Sequence, residues 1–209
     1  MLSHLKKLCA LIVPIVAMTI TSSAAAEVPQ YVRIRGFTYN GSGCPIGTVA
    51  ENMAPDYTAF TLLFNSYIAE VGPNIPFAQK RKNCQINVDL DFPPGWSYSI
   101  FKADYRGYIS AQPGVVGTHQ AMYYFQGSGL TSRLRTNIYG PTDRNYQVSD
   151  RFDLRTSVWS PCGASRALNL NSEVRLDNSL NPRGSGLMTL DSLDGSVAMI
   201  YGLQWKRCR

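Results

Sequence analysis

The sequence predicts an all-β protein: a single antiparallel β-sandwich, jelly-roll-like and held by two disulfides. Three observations lead there. Short segments with apolar residues at every second position recur at spacings of roughly 8 to 15 residues, punctuated by Gly and Pro. No window of a dozen residues keeps a helical apolar stripe beyond its first turn or two. Four cysteines follow what reads as an export signal, and an even count in an exported chain points to a disulfide framework.

Composition narrows the class further. Of 209 residues 44% are apolar and only 16% are charged, well below the roughly 25% common in soluble domains, with 17 Gly and 12 Pro spread along the chain. Coiled coils, long-helix proteins and charged disordered tails are excluded on that basis. The length suits one domain, because all-β folds reach this size without dividing.

Residues 1–26 read as a secretory signal peptide. Lys6 and Lys7 supply the positive start, residues 8–20 the apolar run, and Ala24-Ala25-Ala26 the small-residue cleavage pattern, with the cut after Ala26. The run is too short to span a hydrocarbon core of about 30 Å and contains Pro14, so no stable membrane insertion is expected. Cys9 leaves with the leader, and residues 27–209 form the single secreted domain. Without Lys6 and Lys7, 18 basic side chains face 14 acidic ones, a net charge of +4. The positive residues are dispersed, which argues against nucleic acid as a partner. Polysaccharide or cell-surface material is the partner class left open.

The strands follow in order. Residues 32–39 end at Asn40-Gly41, and residues 57–64 follow the turn Ala54-Pro55-Asp56. In residues 84–92, Cys84, Ile86, Val88, Leu90 and Phe92 alternate with Gln85, Asn87, Asp89 and Asp91, one face for the core and one for water. Residues 96–109 are apolar on both faces, as in a central strand. Residues 115–125 and 132–139 continue the series. Leu168, Leu170, Val174 and Leu176 alternate with Asn169, Asn171, Glu173 and Arg175. Residues 186–193 and 196–205 read as a hairpin through Asp194-Gly195.

Cys44, Cys84, Cys162 and Cys208 allow three connectivities. Cys44–Cys84 and Cys162–Cys208 are favoured, because each is local and ties a loop to a strand end. Zinc is disfavoured: no two of these cysteines form a chelating pair, and only one histidine remains.

Several phrases carry a resemblance: Gly41-Ser42-Gly43-Cys44-Pro45, Arg81-Lys82-Asn83-Cys84-Gln85, Asp104-Tyr105-Arg106-Gly107-Tyr108, Trp159-Ser160-Pro161-Cys162-Gly163-Ala164, Leu168-Asn169-Leu170-Asn171-Ser172 and Gln204-Trp205-Lys206-Arg207-Cys208. Their order and spacing resemble the domain-of-unknown-function 4360 family of secreted fungal and bacterial proteins. The resemblance runs from about Ile34 to Cys208. It implies one secreted all-β domain with these four cysteines, and it implies no activity.

The chemistry-bearing candidates are few. Gly163-Ala164-Ser165-Arg166-Ala167 is one residue from a nucleophile elbow, but a strand rather than a helix follows it, so a turn is expected. His119 has no nucleophile or carboxylate beside it and reads as a surface strand or loop residue. Asp89, Asp91 and Asp104 form a candidate acid cluster. In strand context Asp89 and Asp91 sit about 7 Å apart on one face, where solvated acids, a calcium ion or a glycosidase pair are the three readings. Asp191 and Asp194-Gly195 lack the other ligands of a calcium loop. Asn40-Gly41-Ser42 is both a turn and a glycosylation acceptor.

Tyrosines at 98, 105, 108, 123, 124, 139 and 146 gather in the middle of the chain. Rings with a polar tip suit sugar faces and wet interfaces. On that basis Tyr105, Arg106, Tyr108 and Trp159 are the candidate binding surface. No cofactor, metal or catalytic residue is expected. The function expected is a non-enzymatic extracellular one, with glycan or cell-wall material as ligand. A carbohydrate-active enzyme using paired carboxylates and a self-assembling matrix protein are the alternatives.

Overall fold

A computed structural model describes residues 27–152, 157–162, 166–190 and 199–208. The leader, the segment around Ser165 and the turn Asp194-Gly195 with Asp191 lie outside the described residues.

Among the described residues there are twelve strands: β1 (Arg33–Asn40), β2 (Val49–Met53), β3 (Ala59–Phe64), β4 (Ile68–Val71), β5 (Arg81–Asp91), β6 (Trp96–Ala111), β7 (Val116–Phe125), β8 (Ser132–Tyr139), β9 (Thr142–Arg151), β10 (Leu168–Asp177), β11 (Gly186–Thr189) and β12 (Met199–Arg207). The first sheet has the order β1-β5-β10-β7-β8. The second contains β2, β3, β12, β6, β11 and β4, with β9 added on β6. All pairings are antiparallel, and the chain crosses repeatedly between the sheets, the jelly-roll-like sandwich expected.

The register simplifies the second sheet. Met188 lies opposite Ile109 and Met199 opposite Tyr105, so β11 and β12 run end to end beside β6 instead of pairing as a hairpin. β4 and β3 follow them on the next position outward. In cross-section the sandwich is therefore five strands on five. The expected hairpin fails because β6 offers each half-strand a longer partner than either offers the other.

The core lies between the sheets. Ile86, Val88 and Leu90 of β5 and Leu168, Leu170, Val174 and Leu176 of β10 meet Tyr98, Ile100, Ala103, Tyr105 and Ile109 of β6, all buried. On β6 the inward positions change from even to odd at Phe101, where the register with β12 shifts at Gly202/Leu203. That bulge is why this segment reads as apolar on both faces. Tyr67 is fully buried and donates its hydroxyl to the Ser172 carbonyl at 2.7 Å. Its ring lies where a Cβ on Gly43 would be, at 2.2 Å, so only glycine fits there.

Both favoured disulfides are present. Cys44 bonds Cys84 and Cys162 bonds Cys208, with Cα separations of 5.5 and 5.7 Å. Among the described residues no helix is long and apolar enough to cross a membrane.

Candidate functional site

An ordered polar surface covers the outer face of the first sheet. The alternation that buries Ile86 and Leu170 sets Gln85, Asn87, Asn169 and Asn171 on the outer face, where Asn169 is covered by its neighbours to 7% exposure, and the pairing of β1, β5, β10 and β7 aligns them. One row across the strands is Asn40, Gln85, Asn171, Met122, and the row beside it is Thr38, Asn87, Asn169, Tyr124. Neighbours within a row are about 4.8 Å apart, and the rows are roughly 7 Å apart. Asn87 donates its amide to Asn169 Oδ1 at 3.2 Å, which fixes the middle of the second row. The side-chain amides of Asn40, Gln85 and Asn171 have no partner among the described residues, and neither does that of Gln120.

Two ion pairs flank this platform, and β8 adds Arg133 beside Met122 and Arg135 beside Gln120, which have no ion pair among the described residues. Arg35 pairs with Asp89 at 2.6 Å and Arg81 with Glu173 at 2.5 Å. The carboxylate at 89 is therefore engaged by a guanidinium, and Asp91 is next on the same strand face. Asp104 faces outward from the other sheet, across the whole sandwich, so the three acids do not meet. Burial raises the Asp104 carboxyl, but hydrogen bonds from Lys102 and Ser149 and the charges of Lys102 and Arg106 outweigh it and leave it below the usual range. Among the described residues no group of three or more His, Cys, Asp or Glu could hold a metal ion.

The expected aromatic surface is not one surface. Tyr105 points inward, fully buried, with its ring 4.2 Å from that of His119. Arg106 and Tyr108 point outward on the second sheet, where Tyr108 donates its hydroxyl to Asp143 at 2.5 Å. Trp159 lies beside the opposite end of β6, since Ser160 N donates to the Tyr98 carbonyl at 2.8 Å. Ten residues of strand, about 33 Å, separate those ends. Trp159 is capped by Lys206, with Nζ 4.0 Å from the ring centre.

His119 is likewise a correction. It is 1% exposed, held inside by the inward row Gly117, His119, Ala121 and Tyr123. Burial lowers its pKa to about 3.

Asp150 was not singled out by sequence, because it occupies an inward position of an edge strand whose outward positions are charged or polar. Burial raises its carboxyl from 3.8 to about 6; a hydrogen bond from Tyr123 at 3.3 Å opposes the shift, and the Asp104 charge adds to it. The unfolded chain gives up this proton first, so the group costs stability as pH rises from about 4 to 6 and above. Asp150→Asn is expected to stabilise the protein by about 2 kcal/mol at pH 7 and by almost nothing at pH 3.5, read by urea unfolding at both values. Equal effects at the two pH values would contradict this.

The family model described as a domain of unknown function (DUF4360) matches residues 30–208. The chain belongs to the DUF4360 family. An uncharacterized secreted protein of Arthroderma benhamiae is 42% identical over 183 residues, spanning 88% of this chain and 74% of that relative. Membership, the secreted relative and two disulfides make this DUF4360 chain an extracellular protein. Two solved structures are similar at a low level. The carbohydrate-binding module TmCBM61 in complex with beta-1,4-galactotriose matches with TM-score 0.26 and 8% identity, over 83% of this chain and 90% of that one. The enzymatically active domain of bacteriophage CBA120 tailspike protein 4 matches with TM-score 0.28 and 20% identity, over 82% of this chain and 20% of that one. Neither score supports an argument about ligands.

Proposed function

We propose that this secreted DUF4360 protein, released by cleavage after Ala26, binds a polysaccharide on the outer face of its first sheet. The observation that carries the reading is the double row Asn40-Gln85-Asn171 and Thr38-Asn87-Asn169 ending at Tyr124. Side-chain amides both donate and accept, as sugar hydroxyls do, and an ordered sheet presents them at a fixed spacing. Half-buried Tyr124 at the end of the second row adds an aromatic ring suited to a sugar. Arg35 and Arg81 at one side of the platform are paired with Asp89 and Glu173, while exposed Arg133 and Arg135 of β8 border its other side.

The test is sedimentation of the intact secreted protein with insoluble cellulose, chitin and β-glucan. Gln85→Ala with Asn171→Ala is expected to weaken binding to the preferred polymer about tenfold, the scale of two lost hydrogen bonds. Arg106→Ala, on the opposite sheet, is expected to leave it unchanged. Binding that survives the double variant would remove the platform reading. Release of new reducing ends would favour the enzymatic alternative.

A further inference from the structure

The outer face of the second sheet carries a separate cleft of about 360 Å³ where β4, β11 and β6 meet the loop after Val71. That volume is at the lower end of the range that takes small ligands. The register places Glu70 opposite Leu187, Leu187 opposite Ser110, and Ser110 opposite Asp143, a straight row across four strands. Three strand spacings put the two carboxylates roughly 14 Å apart.

Within the cleft Glu70 is half-buried and has no ion pair or hydrogen bond among the described residues. No lysine or arginine lines it. Pro73, Ile75 and Leu187 supply an apolar side, and Ser110 and Gln112 supply polar groups. Gln112 uses its oxygen to accept from Ser185 N at 3.0 Å, which turns its amide donors elsewhere. Asp143, at the end of the row, accepts from Tyr108 and Ser110.

We propose that this cleft binds an amino sugar, with its ammonium on Glu70, its ring face on the apolar side and its hydroxyls on Ser110 and Gln112. A free ammonium is what a lone carboxylate without a protein cation accepts most favourably. The hydroxyl partners and apolar wall distinguish a sugar from a simple amine. The site is independent of the amide platform, which lies on the other side of the sandwich.

The experiment is calorimetric titration of the intact secreted protein with a glucosamine trimer, an N-acetylglucosamine trimer and trilysine. Binding of the glucosamine trimer is expected, with no detectable heat from the acetylated trimer and at least tenfold weaker binding of trilysine. Glu70→Gln is expected to weaken the glucosamine trimer at least tenfold, the scale of a lost charge-assisted hydrogen bond, with the melting temperature unchanged. Ile75→Ala is expected to weaken it several-fold. The Gln85→Ala/Asn171→Ala variant is expected to bind it normally, so failure of the platform reading and failure of this one are separable. Equal binding of the acetylated trimer, equal binding of trilysine, or no effect of Glu70→Gln overturns the proposal.

Discussion

Lowering the pH from 7 to 4 is expected to remove about 3 kcal/mol of stability through His119 alone. The imidazole is held neutral in the fold by burial, with its pKa lowered to about 3, whereas an unfolded histidine titrates near 6.5. Below 6.5 the unfolded chain takes up a proton that the native one refuses, so stability falls until the pH reaches about 3. Its ring faces Tyr105, and Nε2 is buried without a hydrogen-bond partner among the described residues, so no carboxylate offsets the loss. Asp150 acts in the opposite direction over part of the same range, which partly masks the effect in the wild type. His119→Leu, followed by urea unfolding at pH 7, 5.5 and 4, is expected to flatten the acid side of the profile. In the Asp150→Asn background the net acid-side slope is expected to steepen towards that of His119 alone. An acid limb unaltered by His119→Leu would locate the proton uptake in another group.

Replacing Cys44 and Cys84 together by alanine is expected to cost about 4 kcal/mol. The two are separated by 40 residues, and the loop they close contains β2, β3 and β4. Opening a loop of that length returns about this much entropy to the unfolded chain. Both cysteines are buried, so the variant also loses packing. Midpoints of urea unfolding, compared with those of the Cys162→Ala/Cys208→Ala variant, test this; a loss below 1 kcal/mol would show that the unfolded chain is already compact around that loop.

Much of the architecture was readable from local alternation. β5 and β10 follow it over their full length, and the cysteine pairing follows from their positions. β9 escaped notice because an edge strand exposes Asp143, Asn145, Gln147 and Ser149 and keeps only Tyr146 and Val148 as apolar markers inside. β6 concealed its parity behind the bulge at Phe101. His119 was legible in part: the alternation of 115–125 places it beside Tyr123 on the inner face, and the usual preference of histidine for the surface pointed the wrong way. Tyr105 and Tyr108 differ by an odd number, so a strand sets them on opposite faces. The amide platform required knowledge that Asn40, Gln85 and Asn171 come side by side, and no local pattern contains long-range pairing.

The break between β11 and β12 sets ten residues against three on β6, between Met188 opposite Ile109 and Met199 opposite Tyr105. Each half-strand takes its alignment from its own partners, so the surplus is not counted by the ladder. A change of chain length between Leu190, itself fully buried, and Met199 would leave the register of each half-strand to its own partners.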